Sequence, residues 1–196
     1  MQLKCFLWAI AAKLLARPAV SEWLITHAQR TPYLHIMSAD GKETYMGRWW
    51  LFNPYSRETH EPSIKWFPWS FRIHHIKRPD ADRDLHDHPW NARTVILRGW
   101  YREQRLLDGD DPALAGLMDS ARALLESSGG SYQATEYIDR LPGDTAQLRH
   151  GEYHRIDEVS PEGVWTLFIT SSWKGDWGFL VDGVKVPWRK YTGDQE

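Results

Sequence analysis

The chain has 196 residues, 42% of them hydrophobic and 26% charged, and a formal net charge of −2 from 24 basic and 26 acidic residues. That length suits one domain, residues 1–196, with a core of its own, and the ordinary charge and apolar content exclude a disordered chain. No basic tail or block is present, so neither nucleic acid nor an anionic membrane is expected as a partner.

The first element expected is an amphipathic helix. Leu3, Phe6, Leu7, Ile10, Leu14 and Leu15 fall on one helical face with Lys4, Lys13 and Arg17 elsewhere, and that face is expected to pack on the domain. Lys13 and Arg17 interrupt the apolar run too early for a signal peptide, and the stretch is too short and too charged to span a bilayer. The lone cysteine, Cys5, can form no internal disulfide, which points to a reducing, cytoplasmic setting. Pro18 suits the start of a second helix, Ala19 to Arg30. Residues 1–31 thus read as a helical segment.

From Pro32 the pattern is that of strands, and the twelve Trp of the chain favour such a body. Tyr33 to Ser38, Thr44 to Phe52, Ile64 to Ile76 and Arg93 to Arg105 carry β-branched and aromatic residues between turn-forming stretches. Asp40-Gly41 makes a hairpin-type turn between the first two. Residues 108–130 break the pattern as a helical insertion, with Leu114, Leu117, Met118, Ala121 and Leu125 at helical spacing and Gly129-Gly130 at its end. Strands resume at Ala134 to Leu141, Thr145 to His150, Tyr153 to Val159, Val164 to Ser171 and Trp177 to Val181. Val184 to Tyr191 contains Pro187 and reads as an edge strand or an extended tail. Many short strands with Gly and Pro turns imply a sandwich or closed barrel over residues 32–191.

The chemistry is concentrated in Asp84-Leu85-His86-Asp87-His88-Pro89-Trp90. Residues two apart in a strand share a face, about 6.5 to 7 Å apart at Cα. His86 and His88 can therefore converge on one ion at imidazole–metal distances of about 2.0 to 2.1 Å. Downstream, a Leu141-Pro142-Gly143-Asp144 turn precedes a segment in which His154 stands just inside a strand, where a facing ligand belongs. Three side chains on one side of a metal leave its other positions open.

These two segments resemble the two motifs of the cupin superfamily. His86, His88 and Gly99 match the first motif, and Pro142, Gly143 and His154 the second. The wider run, from Tyr45-Met46 and Arg48-Trp49-Trp50-Leu51 to Trp177-Gly178-Phe179, is similar to cupin proteins of bacteria and their phages. The resemblance implies a mainly β fold, a double-stranded β-helix or jelly-roll barrel, carrying N-terminal helices and one helical insertion. It also implies a divalent metal on His86, His88 and His154, a small-molecule substrate, and a homodimer as one assembly open to the chain.

The glutamate usual in the superfamily falls on Ala92 or Arg93, so the site is of a three-histidine type that resembles cysteine dioxygenase and related thiol dioxygenases. Fe(II) is the metal this implies first, with Zn, Mn or Ni as the others, and the reaction expected is that of a mononuclear non-haem iron dioxygenase or oxidoreductase. A redox-neutral isomerase or hydrolase and a non-catalytic binding or scaffold protein are the two alternatives. Glu152 and His150 share strand parity with His154 and stand as additional ligands unless Gly151 breaks that parity.

His74-His75 are adjacent, so only one can face the pocket. His75 is the candidate for orienting a ligand or binding substrate. Arg72, Arg98 and Arg102 suit a substrate carboxylate if they face inward, and Trp90 lies beside the motif. Neither a phosphate-binding glycine loop nor a Gly-x-Ser-x-Gly elbow occurs.

Overall fold

The computed structural model describes residues 2–38, 41–106 and 134–193. The helical insertion expected at 108–130 and the turn residue Asp40 lie outside the described residues.

Two helices lead the chain, α1 (Gln2–Leu15) and α2 (Pro18–Ala28), the second begun by a proline in its first turn. Twelve strands follow: β1 (Ile36–Met37), β2 (Thr44–Phe52), β3 (Ser70–Ile76), β4 (Leu85–His86), β5 (Trp90–Arg98), β6 (Tyr101–Leu106), β7 (Thr135–Arg140), β8 (Thr145–Leu148), β9 (His154–Val159), β10 (Val164–Trp173), β11 (Gly178–Val181) and β12 (Val184–Pro187). A short helix α3 (Trp188–Thr192) closes the described chain. The strands form two six-stranded antiparallel sheets, ordered β1-β2-β3-β10-β5-β8 and β12-β11-β4-β9-β6-β7. From β3 to β11 nearly every connection passes from one sheet to the other, as in a jelly-roll barrel.

Gly99 shows how such a crossing is made. It separates β5 of the first sheet from β6 of the second, with φ at +75°. A Cβ there would meet the carbonyl oxygen of Gly163 at 2.3 Å, so only glycine fits. The single strand expected over residues 93–105 is therefore two strands in two sheets. The strand expected from Ile64 begins only at Ser70, and the tail at Val184 becomes β12 followed by α3 beyond Pro187.

The first sheet has two different faces. Ile73, Val95, Leu97, Leu167 and Ile169 point outwards and bury themselves against Ala12, Leu24, Ile25 and Ala28 of the two helices. The alternate residues, among them Ile76, Ile96 and Val164, line the barrel with Tyr101 and Ile156 of the second sheet. The helices thus take the place of a second layer over one side of the barrel. One expectation holds only at Leu15: α1 packs through Trp8, Ala12 and Leu15, while Leu3, Phe6, Leu7, Ile10 and Leu14 are exposed, Leu3 at 71% and Phe6 at 61%.

Candidate metal centre

Strand register brings two of the three histidines together. His86 on β4 stands directly opposite His154 on β9, and Phe179 of β11 lies on the other side of His86. β4 ends at His86, so His88 is presented by the link to β5 rather than by a strand. That link is held by Asp87, which is fully buried. Its carboxylate accepts from the backbone N of Gly178 at 2.7 Å and from Nζ of Lys185 at 2.6 Å. The nitrogens of His86, His88 and His154 available to a metal all lie within 4.8 Å of one another.

Nε2 of His88 and Nε2 of His154 are 2.9 Å apart. Two ligands at right angles on bonds of about 2.0–2.1 Å have their nitrogens about 2.9 Å apart, so this pair fits adjacent positions on one divalent ion. The cluster is also kept in the form a metal needs. Burial, with the neighbouring His154, holds His86 down to about 4 against the opposing pull of Asp80. His88 is held well below the usual imidazole range by burial, by His154 and His86, and by Arg72 and His74. Neutral imidazoles keep their lone pairs for a ligand bond.

Behind His154 lies Glu103, a residue with no exposed surface. Its Oε1 accepts from Nδ1 of His154 at 3.0 Å, which fixes the proton on Nδ1 and the lone pair on Nε2. The same carboxylate accepts from Nε of Arg105 at 2.8 Å and from Nε of Arg140 at 2.9 Å. Burial by itself would raise the Glu103 pKa, but the hydrogen bond from His154 and the two guanidinium groups hold it far below the usual carboxylate range. His86 has a looser support: its Nδ1 is 3.9 Å from Oδ2 of Asp80, which also accepts from the Ile156 backbone N at 2.8 Å, while Tyr45 donates to the other oxygen.

Sequence reading did not find Glu103. In Tyr101-Arg-Glu-Gln-Arg105 it looks like one charge in a solvated run, and the signal was parity alone: Tyr101, Glu103 and Arg105 share the inward face of β6.

The remaining candidates are dispersed. Glu152 lies outside the cluster and accepts from the Arg149 backbone N at 2.8 Å. His150 is exposed, and its Nδ1 donates to the carbonyl of His88 at 2.9 Å, so it braces the link without facing the cluster. Gly151 at φ +84° breaks the parity that would have aligned them with His154. Of the adjacent histidines, His74 faces the barrel. His75 is on the helix-covered side, stacked on Trp165 with ring centroids 4.0 Å apart and bonded to the Glu162 carbonyl at 3.0 Å. Arg98 pairs with Glu22 of α2. Arg102 pairs with Asp139 and Glu158, each at 2.8 Å, on the outside of the second sheet. Arg72 is inside the barrel, 1% exposed. Trp90 lies between, its ring 6.4 Å from His88 and 5.0 Å from the Arg72 guanidinium.

Two antiparallel sheets close over three convergent imidazoles, which makes a jelly-roll barrel with a cluster suited to a divalent metal. Solved structures to which the chain is similar include a cupin barrel domain and metal-dependent enzymes. A cupin 2 conserved barrel domain protein from Rhodopseudomonas palustris aligns at a TM-score of 0.44 and 12% identity, over 77% of this chain and 76% of that one. Oxalate decarboxylase from Bacillus subtilis aligns at 0.45 and 13%, over 87% of this chain and 33% of that one. Fe(II)-HppE aligns at 0.42 and 10%, over 74% and 57%. The chain thus spans about a third of the length of the decarboxylase. No family model and no curated protein matches the sequence.

Proposed function

We propose that the protein is a mononuclear non-haem Fe(II) dioxygenase or related oxidoreductase acting on a small molecule, with His86, His88 and His154 as the ligands. The observation that carries the reading is the three-imidazole cluster with no carboxylate among its members. A divalent metal held on three neutral nitrogens offers open coordination positions on one side, where a substrate and dioxygen can meet. The chain's own residues prepare that meeting. Glu103 sets the tautomer of His154, and Asp87 anchors the backbone between the other two histidines. Phe168 and Trp90, whose rings lie 5.9 and 6.4 Å from that of His88, limit water at the cluster.

Metal analysis of protein purified without a histidine tag, beside His86→Ala, is the test. Near-stoichiometric iron that is lost in the variant, with oxygen uptake on a screen of small thiols and acids, is the expected result. Another metal lost in the variant, with turnover that needs no oxygen, moves the chemistry to a redox-neutral reaction. Absence of any metal after reconstitution overturns the reading and leaves a binding protein.

A further inference from the structure

The helix that covers the first sheet is apolar on two sides. The inner side of α1 packs through Trp8, Ala12 and Leu15, yet Leu3, Phe6, Leu7, Ile10 and Leu14 on its outer side meet solvent. At about 100° per residue these five form one continuous stripe. α2 adds Trp23, 61% exposed, and Val20 on its own side away from the sheet. A helix apolar all round is normally buried all round, and an exposed apolar patch of this kind marks an interaction surface.

A second group of exposed rings meets the helices on the same face of that sheet. The Arg93 guanidinium lies 4.8 Å from the Trp8 ring, and Arg93 is level with Ile169 and Phe71 across the strands. Phe71 belongs to the face that the helices cover, and it packs with Phe67 and Phe52. The loop that carries Phe67 presents Trp66, 83% exposed, and Trp69 close by, and Phe52 is exposed as well.

The charges around the stripe are of one sign. Lys4 and Lys13 fall on its opposite edges, Arg17 follows in the turn to α2, and all three are exposed. Glu22 is the only acid in either helix, and it pairs with Arg98. Basic side chains beside an apolar face lay their stems along it and extend their charges towards a negative layer. A second copy of the chain fits this surface poorly, since face-to-face pairing would set these cations against their own kind with no free acid to answer them. Charge counted along the sequence gives no basic block, but the fold gathers three cations around an apolar surface that such a count does not register.

We infer that the outer face of α1, with Trp23 and the Trp66–Trp69 loop, is a peripheral docking surface for an anionic lipid bilayer. The 14 residues of α1 extend about 21 Å, short of the roughly 30 Å of a bilayer's hydrocarbon. The helix therefore lies in the plane of the headgroups, with its leucines and Phe6 inwards and the tryptophans at the level where their rings are favoured. The histidine cluster is on the other side of the first sheet, so the inference is independent of the proposed reaction.

Flotation of the full chain with vesicles tests this, using phosphatidylcholine alone and phosphatidylcholine mixed with phosphatidylglycerol. Each cation at an anionic surface strengthens binding roughly fivefold, so the mixed vesicles should be preferred at least tenfold, and added salt should reduce that preference. Phe6→Ser with Leu7→Ser, at two exposed positions, is expected to abolish flotation, and Lys4→Glu with Lys13→Glu to cut it at least tenfold, while metal content and circular dichroism stay as in the unaltered protein. Failure of the unaltered protein to float with either vesicle overturns the inference, as does equal flotation of the Phe6→Ser, Leu7→Ser variant. Equal binding to both vesicles overturns the anionic class. A dimer in sedimentation that the same double variant dissociates, without vesicle binding, gives the face to a second copy and overturns the inference as well.

Discussion

The two walls of the barrel treat buried charge in opposite ways. On the histidine wall the two buried carboxylates are answered: Glu103 has three donors, and Asp87 has Lys185 and the Gly178 amide, although Arg105 Nη2 and Arg155 Nε of the same sheet find no partner among the described residues. On the facing wall Arg72 has one partner, and His74, Thr166 and Thr170 have none for their buried atoms among the described residues. A satisfied network rigidifies, whereas an unsatisfied one waits for a ligand.

The largest effect should follow from breaking the satisfied wall. Glu103→Ala removes the shared acceptor of two arginines and a histidine, and loss of one partner of a buried network costs about 3–5 kcal/mol. Urea unfolding should show that loss, and metal affinity should fall roughly 10–100-fold as His154 loses its orienting carboxylate. The same experiment on the facing wall should give the opposite sign. Arg72→Met exchanges an unanswered charge for an apolar side chain of similar length, so the metal-free protein should be as stable as before or more stable, by up to about 1–4 kcal/mol. If both variants destabilise alike, the contrast between the walls is wrong.

How much of this was legible in the sequence follows from what each feature depends on. Strand alternation and turn residues are local, so most of β2, β5 and β7 to β11 could be placed from Thr44–Phe52, the Thr94–Leu97 run and the Pro142-Gly143 turn. The His-x-His pair and His154 were legible because metal chemistry restricts residue type and spacing together. Partners set by register were not. Glu103 reaches His154 only because β6 pairs with β9, and Asp87 meets Lys185 from 98 residues away. The choice of His74 over His75 turns on which face of β3 the helices cover, which neither residue records. Most of the bulky stripe of α1 stays exposed, because the face that meets the sheet is the one carrying Trp8, Ala12 and Leu15.

A smaller effect is carried by pH. Burial first, then the charges of Arg72 and Arg48, hold His74 well below the ordinary imidazole value. In the unfolded chain it titrates near 6.5. Below that pH the unfolded state takes up a proton that the folded state refuses, so stability falls as pH falls, by about 1.4 kcal/mol per pH unit for each such group. His86, held to about 4, and His88 act in the same sense. Metal-free protein should therefore lose stability steadily from about pH 6.5 towards pH 4. His74→Gln should make that slope shallower by about one group's share, measured as unfolding free energy at several pH values. A slope unchanged in the variant would mean that His74 finds a proton or a partner inside the fold.

The smallest effect is expected at Arg102, and its smallness is informative. Arg102 donates to Asp139 and Glu158 on the outer side of the second sheet, with a side chain about a third exposed. Exposed pairs of this kind contribute little, because water screens the charges and two long side chains must be ordered to meet. Arg102→Ala should shift the unfolding midpoint only slightly. Arg72 and Arg102 have the same side chain on facing sheets of one barrel, so substitution at both positions separates placement from chemistry. If Arg102→Ala destabilises the fold as much as Glu103→Ala does, exposed and buried pairs of the second sheet carry equal weight and placement does not matter.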